Sequence, residues 1–330
     1  MKSPVEMLAN LAFRHLADRL LSSPGNRALH IFKYHQILPA VSQLDGGDLP
    51  LEIFQWQMRW LKNNMEVFSL KDGLAHLSER NLPKRAAAIT FDDGYAADVA
   101  YVVPILKEVG FSATFFVSSG YLQGQCMWDE ALRIVLRETK KQVVDLSNVQ
   151  LGIHVLDSKI ARIMAYEKLC MALKYRPLVD RHHLLNEIYH CAQVHSNDRQ
   201  LMLSENQVKQ LVAEGMEVGS HTVDHPILNC EADGDAEYQI RKDKEQLEKV
   251  IGRPVKYFAY PNGIPGKDFN RRHVDIVQHC GFEAAVTTSV GVARWGDDLW
   301  QLPRFTPWDT SPIKFALRML RNYGSRSIKT

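Results

Sequence analysis

Short apolar segments recur along the whole chain, and segments with helical spacing separate most of them. Strands that alternate with helices are typical of an α/β fold with a largely parallel sheet. The sequence has neither a GxGxxG motif nor a phosphate-binding loop, so about seven such units favour a distorted (β/α) barrel over a nucleotide-binding sheet. The predicted strands lie in "HIFKYH" (30–35), "AAAITF" (86–91), "ATFFVSS" (113–119), "MEVGSH" (216–221), "YFAYP" (257–261), "AAVTTS" (284–289) and "QLPRFTP" (301–307).

Residues 122–203 interrupt this alternation. Their spacing is mostly helical, and no apolar run followed by charged residues occurs among them. We therefore expect a helical insertion, or cap, over the mouth of the barrel. The predicted organisation is an N-terminal amphipathic helix within residues 1–29 and a single domain in residues 30–330 that carries the insertion at about 122–203.

The N-terminal segment has apolar residues at helical spacing, namely Val5, Leu8, Ala12, Leu16 and Leu20. This pattern predicts an amphipathic helix whose apolar face docks on the domain; the alternative is a weak, basic contact with a membrane surface. No apolar run reaches the roughly 18 residues of a membrane span, and charged residues interrupt the segment before a signal-peptide core can build. We expect a cytoplasmic protein, with membrane association through this helix as the open alternative.

Charge and cysteine content exclude several classes of function. The formal net charge is +2, which gives no electrostatic reason to expect nucleic-acid binding. The five cysteines are scattered and form no CxxC pair, so neither a thiolate zinc site nor a disulfide framework is indicated. The sequence does not predict an oligomeric state.

The segment "ITFDDG" ends an apolar run with two adjacent carboxylates, Asp92 and Asp93. In parallel α/β folds, functional groups gather at the carboxyl ends of strands, and Gly94 would let the chain turn sharply there. The alternative is an ordinary Asp-Gly turn that caps a helix.

A second polar motif, "GSHTVDHP" (219–226), also follows a predicted strand. His221 and His225 are four residues apart, so one helical turn would bring both imidazoles to the same side. Two neutral imidazoles and one carboxylate form a three-ligand site for zinc or a similar divalent ion, with a position left open for water. This arrangement is typical of catalytic rather than structural zinc.

Taken together, "TFDDG", "SHTVDH" and "FAYPNG" resemble the motifs of the polysaccharide deacetylase family, the NodB-homology carbohydrate esterases. The resemblance covers roughly residues 30–120 and 204–307 and leaves the insertion out. It implies metal-dependent hydrolysis of N-acetyl groups on amino sugars, with an N-acetylated polysaccharide or glycan precursor as the substrate.

The resemblance assigns roles to individual residues. Asp93, His221 and His225 would bind the metal, with Zn²⁺ expected first and Co²⁺ or Ni²⁺ as alternatives, and Asp92 would act as the general base. The third motif would place a backbone N–H near Asn262 against the tetrahedral oxyanion. Adjacent residues of an extended chain point in different directions, so one aspartate can bind metal while the other faces the water.

The chain also departs from the family pattern. Ala259 stands where the family has an arginine that orients the base, and Asn262 stands where a tyrosine is usual. The usual general acid is a histidine near the C-terminal end, yet no histidine follows His279. Either the acid is missing, or His35 supplies it from the first strand, as in the circularly permuted branch that includes poly-N-acetylglucosamine deacetylases. Arg304, in "LPRF", is a candidate to replace the missing arginine beside the base.

Two aromatic residues are further candidates for contact with substrate. Trp128, at the start of the insertion, is placed to stack on a sugar ring, although packing of the insertion onto the barrel explains it equally well. Tyr95 follows the Asp-Asp-Gly turn and is expected to line the same cleft.

Two rival functions remain open at this point. One is an amide hydrolase that acts on a substrate other than carbohydrate. The other is a catalytically weak or inactive carbohydrate-binding protein, which the absence of a histidine near the metal would favour.

Overall fold

The computed structural model describes residues 4–41, 44, 49–194, 200–325 and 329–330, and for residues 4–6, 8 and 9 it describes the backbone only. The helices are α1 (Pro4–Leu20), α2 (Leu51–Asn64), α3 (Leu70–Ser78), α4 (Ala97–Val109), α5 (Trp128–Glu138), α6 (Lys159–Lys174), α7 (Leu178–Ala192), α8 (Glu205–Ala213), α9 (Asp233–Ile251), α10 (Arg271–His279) and α11 (Pro312–Asn322). The strands are β1 (Ala28–Tyr34), β2 (Ile37–Leu38), β3 (Leu49–Pro50), β4 (Glu66–Phe68), β5 (Ala86–Phe91), β6 (Thr114–Val117), β7 (Val143–Leu146), β8 (Gly152–Val155), β9 (Glu217–Ser220), β10 (Tyr257–Ala259), β11 (Ala284–Val290), β12 (Ala293–Arg294) and β13 (Leu302–Arg304).

Seven parallel strands form a barrel in the order β1-β5-β6-β9-β10-β11-β13. Phe305 closes the ring, because its N–H donates to the carbonyl of Ile31 (2.8 Å) and its carbonyl accepts from the N–H of Lys33 (2.9 Å). The distorted barrel of about seven parallel strands predicted from the sequence is confirmed, and each predicted segment supplies one of the strands.

The side chains of each barrel strand alternate between the interior and the surrounding helices, as the two-residue period of a strand requires. On β5, Ala86 and Ala88 belong to the interior cluster, whereas Ala87, Ile89 and Phe91 pack in the larger core beneath the helices. The same alternation continues past the strand end and therefore directs Asp92 into the barrel at its carboxyl-terminal mouth.

Small residues make room inside the barrel for one large ring. Phe116 of β6 is fully buried in the interior cluster. A Cβ atom at Gly219 of β9 would lie 2.4 Å from the Phe116 ring, so any side chain there would displace the phenyl group. Gly219 is therefore required two residues before His221 to keep β9 in register beside β6.

The insertion has a hydrophobic core of its own. Apolar residues of α5, α6 and α7 pack together with residues of an antiparallel hairpin formed by β7 and β8. The insertion is mostly helical, as expected, but the sequence analysis did not predict the β7–β8 hairpin. The apolar alternation in "VVDL" and "GIHV" is short, which explains why the helical spacing around it dominated the sequence analysis.

The predicted docking face of α1 is wrong. Ala12 is exposed, and Leu16 and Leu20 are 45% and 50% exposed, so these members of the apolar stripe do not pack on the domain. Phe13 and Ala17 are buried in the main core instead, together with Leu21 just beyond the helix. The side chains of Val5 and Leu8 lie outside the described residues.

A second apolar stripe on the same helix explains the difference. This buried stripe includes a polar residue, Asn10, whose Oδ1 lies 3.5 Å from Nδ2 of Asn64. Because of this asparagine, the buried stripe is less hydrophobic in sequence than the stripe that contains the leucines, and the sequence therefore favoured the wrong face. The contact of α1 with a membrane surface stays a prediction. Within the described residues, the structure contains no helix that is long and apolar enough to cross a membrane.

Candidate active site

A cavity of about 470 Å³ lies at the carboxyl-terminal mouth of the barrel. Residues that follow β1, β5, β9 and β10 form its floor, and α5 and α6 of the insertion form one wall. The structure thus brings most of the predicted site residues into one cavity: His35, Asp92, Asp93, Tyr95, Trp128, His221, His225 and Asn262.

Asp93, His221 and His225 converge at the floor of this cavity. The Oδ1 atom of Asp93 lies 3.4 Å from Nε2 of His221 and 3.5 Å from Nε2 of His225. Within the described residues, these are the three that could hold a metal ion together, with donor atoms within 4.8 Å of one another. Two of them have left-handed backbone, with φ of 76° at Asp93 and 51° at His225. Such conformations occur where the surrounding structure forces them, and they cluster at functional sites.

The backbone of the barrel fixes the orientation of His221. Its Nδ1 lies 2.6 Å from the carbonyl oxygen of Ala259, so Nδ1 carries the proton and Nε2 is left for the cavity. Its backbone N–H donates to the buried carboxylate of Asp243 (3.0 Å), which also accepts from Ser220. Ala259, which stands where the usual family pattern has an arginine, thus supplies the carbonyl that sets the tautomer of His221.

Burial and local charge prepare Asp93 and His225 for a cation. Burial lowers the pKa of His225 to about 3, so its imidazole is neutral. Burial alone would raise the pKa of Asp93, but the neighbouring imidazoles of His221, His225 and His35 hold it well below its usual range. A carboxylate oxygen and imidazole nitrogens are donors that suit zinc and related divalent ions.

Asp92 lies beside this cluster in a different environment. Its carboxylate is 2% exposed and accepts two parallel hydrogen bonds from Arg304, at 2.6 Å and 2.7 Å. Burial alone would raise the pKa of Asp92, but Arg304, His221 and His35 together lower it to about 2. The carboxylate is therefore ionised at neutral pH and held in one orientation.

Arg304 is itself fixed inside the barrel. Its guanidinium also donates to the carbonyl of Thr287 (2.9 Å) and to Oγ1 of Thr90 (3.1 Å). The structure thus places Arg304 beside Asp92, the position in which the sequence analysis expected it to substitute for the absent arginine.

His35 faces the same cavity as the two aspartates. It is half-buried, and its charge contributes to the lowered pKa of both Asp92 and Asp93. The inward alternation of β1, through Ile31 and Lys33, explains why His35 points into the mouth of the barrel.

Asn262, after β10, has a φ of 56°, and its carbonyl accepts from Oγ1 of Thr288 (2.7 Å). This contact holds the loop of the third motif against the cavity. Tyr95 is 5% exposed, and its hydroxyl donates to Glu130 of α5 at 3.3 Å. Tyr95 thus joins the barrel to the insertion.

Trp128 lies in the cavity wall but is only 9% exposed. It packs in the core of the insertion, and the Arg181 guanidinium lies 5.1 Å from its ring centroid. The structure therefore favours the packing interpretation of Trp128 over the stacking one.

Several cavity residues were not found from the sequence. Trp308 is 54% exposed at the cavity and follows the last strand after only three residues, a position that could have indicated it. Tyr166, Cys170 and Lys174 are spaced four apart on α6, a regular spacing that marks one helix face. Others include Lys33, an inward position of β1, and Glu130 and Arg133 in the first turns of α5.

The polysaccharide deacetylase family model matches residues 79–169 and 176–285. The chain belongs to the polysaccharide deacetylase family. The matched ranges include Asp92, Asp93 and both histidines of the cluster, whereas His35 and Arg304 lie outside them. The match also runs through much of the insertion, which the sequence analysis had left out of the resemblance.

Other polysaccharide deacetylases and deacetylases are similar to the chain along most of its length. The YxkH protein of Bacillus subtilis (strain 168) is 20% identical over 278 residues, which cover 84% of this chain and 70% of that protein. The Streptococcus pyogenes deacetylase PplD, solved in complex with acetate, is 19% identical with a TM-score of 0.59, over 90% of this chain and 98% of that one. IcaB from Ammonifex degensii is 18% identical with a TM-score of 0.59, over 91% and 98% of the two chains. At these identities the two solved structures show a shared fold.

Proposed function

We propose that this protein is a divalent-metal-dependent deacetylase that hydrolyses N-acetyl groups on amino sugars in a polysaccharide or glycan precursor. Membership of the polysaccharide deacetylase family supports de-N-acetylation of carbohydrate. One observation carries the metal-dependent mechanism: the cluster of Asp93, His221 and His225 lies beside an ionised Asp92 that Arg304 holds, all in a single cavity. The acetate in the PplD structure is the acid that such a reaction releases, which agrees with this proposal.

The metal would be held by Oδ1 of Asp93 and by the ring nitrogens of His221 and His225. The chemistry that a divalent ion supplies when bound is Lewis-acid polarisation of a carbonyl and a lowered pKa of water. Zinc suits this mixed set of donors, and cobalt or nickel would fit the same ligands.

The chain's own residues provide the proton transfers. Asp92 accepts a proton from the attacking water, and Arg304 keeps its carboxylate ionised and correctly oriented for this step. His35 gives a proton to the nitrogen of the departing amine, because an imidazole can carry that proton near neutral pH. The products are acetate and the free amino sugar, so one water molecule is consumed for each acetamide bond broken.

Acetate release from N-acetylated oligosaccharides tests the proposal. Protein stripped with a chelator should release acetate only after Zn²⁺, Co²⁺ or Ni²⁺ is added back, and His221→Ala should stay inactive under all conditions. Release from small non-carbohydrate amides, but not from any glycan, would favour the amide-hydrolase alternative. If metal-loaded protein binds glycans but releases no acetate, the binding-protein alternative would be favoured. The position of His35 in the cavity argues against that alternative.

A further inference from the structure

The corner between α6 and α7 touches the loop that carries His225. Arg181, in the first turn of α7, is 1% exposed although it is charged. Its Nη2 donates to the carbonyl oxygens of Asp224 (3.0 Å) and His225 (3.2 Å). A buried guanidinium that uses its donors on two successive carbonyls fixes the path of the backbone between them.

The loop needs such support because its backbone is strained. Thr222 and His225 both have left-handed φ values, 68° and 51°, without being glycine. Such a conformation is unfavourable for a residue other than glycine and persists only where neighbouring groups hold it. The phenol of Tyr121 provides a second hold, since its hydroxyl donates to the carbonyl of Asp224 at 2.9 Å.

Further contacts join the same corner of the insertion to the barrel loops. The N–H of Leu178 donates to Glu231 (2.8 Å), at the far end of the His225 loop. The hydroxyl of Tyr175 donates to Asp268 (3.0 Å), whose other oxygen accepts from the N–H of Ile264 in the loop of Asn262. The insertion thus holds two loops that border the cavity.

We propose that Arg181 is a positioning residue for the metal ligand His225, and that the insertion is therefore part of the metal site rather than only a wall for substrate. The guanidinium lies between the ring of Trp128 and the two carbonyls and does not itself line the cavity. It acts through the backbone, which sets where the His225 imidazole points. This inference rests on the proposed metal site but not on the identity of the substrate.

Metal affinity is the decisive measurement, because it needs no substrate. Arg181→Met should weaken binding of Zn²⁺ or Co²⁺ about 10- to 100-fold, the range expected when a group that orients a ligand is lost. The d–d spectrum of the Co²⁺-loaded variant should also change. Arg181→Lys keeps one donor and should recover part of the affinity.

Arg162 provides a matched control within the insertion. It also donates to two backbone carbonyls, those of Leu136 and Thr139, but these lie inside the insertion and away from the metal loop. Arg162→Met should lower the melting temperature and leave metal affinity unchanged. If Arg181→Met does not fold, Tyr121→Phe tests the same carbonyl and should weaken metal binding several-fold.

Wild-type metal affinity in Arg181→Met, or an equal loss in Arg162→Met, would overturn the positioning role. If the proposed metal site itself is wrong, His221→Ala would bind metal as tightly as the parent protein. This result differs from the one that would overturn only the role of Arg181. Absence of deacetylase activity in a protein that binds metal tightly would contradict the proposed function alone.

Discussion

Arg304 and Asp92 form a fork-to-fork pair, in which Nη1 donates to Oδ1 at 2.6 Å and Nη2 donates to Oδ2 at 2.7 Å. The two side chains are 1% and 2% exposed, so water competes little for either partner. A bidentate arginine–carboxylate pair fixes orientation as well as charge. The pair couples the last barrel strand to the residue proposed as the general base.

Removing the arginine should therefore harm both stability and activity. Arg304→Met leaves the buried carboxylate of Asp92 without its partner, which should lower the free energy of unfolding by about 3 kcal/mol. Chemical denaturation gives this value. The double variant Asp92→Asn/Arg304→Met should be destabilised by less than the sum of the single changes. Additive losses would show that the two side chains are not energetically coupled.

Asp92→Asn separates the base from the metal ligands. It should retain bound metal and lose on the order of 10²-fold in turnover, as expected for loss of a general base. Metal content by elemental analysis and acetate release measure the two effects. His221→Ala should lose both together, and a His221→Ala protein with stoichiometric metal would contradict the ligand assignment.

His35→Ala tests the proposed acid. The fold and the metal should remain, turnover should fall, and the alkaline limb of the pH–rate profile should change, because the protonated imidazole no longer supplies that limb. His279 is a suitable control, since it is exposed and its Nδ1 bonds to the carbonyl of Asp275 in its own helix. An unchanged alkaline limb in His35→Ala would remove this role.

Trp308→Ala should raise KM with little change in kcat if the exposed ring stacks on a sugar bound outside the reacting centre. Trp295 has a similar exposure, 56%, and lies over Arg80 outside the cavity lining. Trp295→Ala should leave both constants unchanged. Equal KM values for Trp308→Ala and the parent would show that this ring does not bind substrate.

His30 makes the stability of the barrel depend on pH. It is fully buried beside Phe32 and Tyr323, and burial lowers its pKa to about 3, whereas the unfolded chain has the ordinary value near 6.5. The unfolded state thus binds more protons between these values, and stability falls as the pH drops below about 6.5. At pH 5 the His30 contribution should be smaller than at pH 7 by about 2 kcal/mol.

His30→Phe should remove this share of the pH dependence. His225 and His273 have lowered pKa values as well, but they titrate in the parent and in the variant alike. Denaturation midpoints at pH 7 and pH 5 therefore isolate the effect of His30. Parallel curves for the two proteins would contradict the prediction.

The barrel and the convergence of Asp93, His221 and His225 were predictable because each depends on local pattern. Every barrel strand is a short apolar run; Asp92, Asp93 and His221 come directly after such runs, and His225 lies in the loop that begins at His221. The face of α1 was not predictable, because the helix has two apolar stripes and only the tertiary packing of Phe13 and Ala17 selects one.

Most of the features that could not be predicted from the sequence depend on contacts between residues far apart in the chain. Arg181 bonds to main-chain carbonyls, which have no signature in the sequence, and its partners lie in another segment of the chain. The packing of Trp128 under Arg181 depends on the same tertiary contact. The closure of the barrel by Phe305 likewise appears only when both ends of the domain are placed together.

The closure of the barrel at Phe305 also bears on when Arg304 can reach Asp92 during folding. Asp92 and Arg304 are 212 positions apart in the chain, and the strand that carries Arg304 meets β1 only when the ring closes. Contacts between such distant segments form late, because the loop entropy must be overcome first. An open intermediate would hold Asp92 without its arginine and would expose two unpaired strand edges to other chains. We therefore expect the Arg304–Asp92 pair and the protection from aggregation to form in the same step of folding.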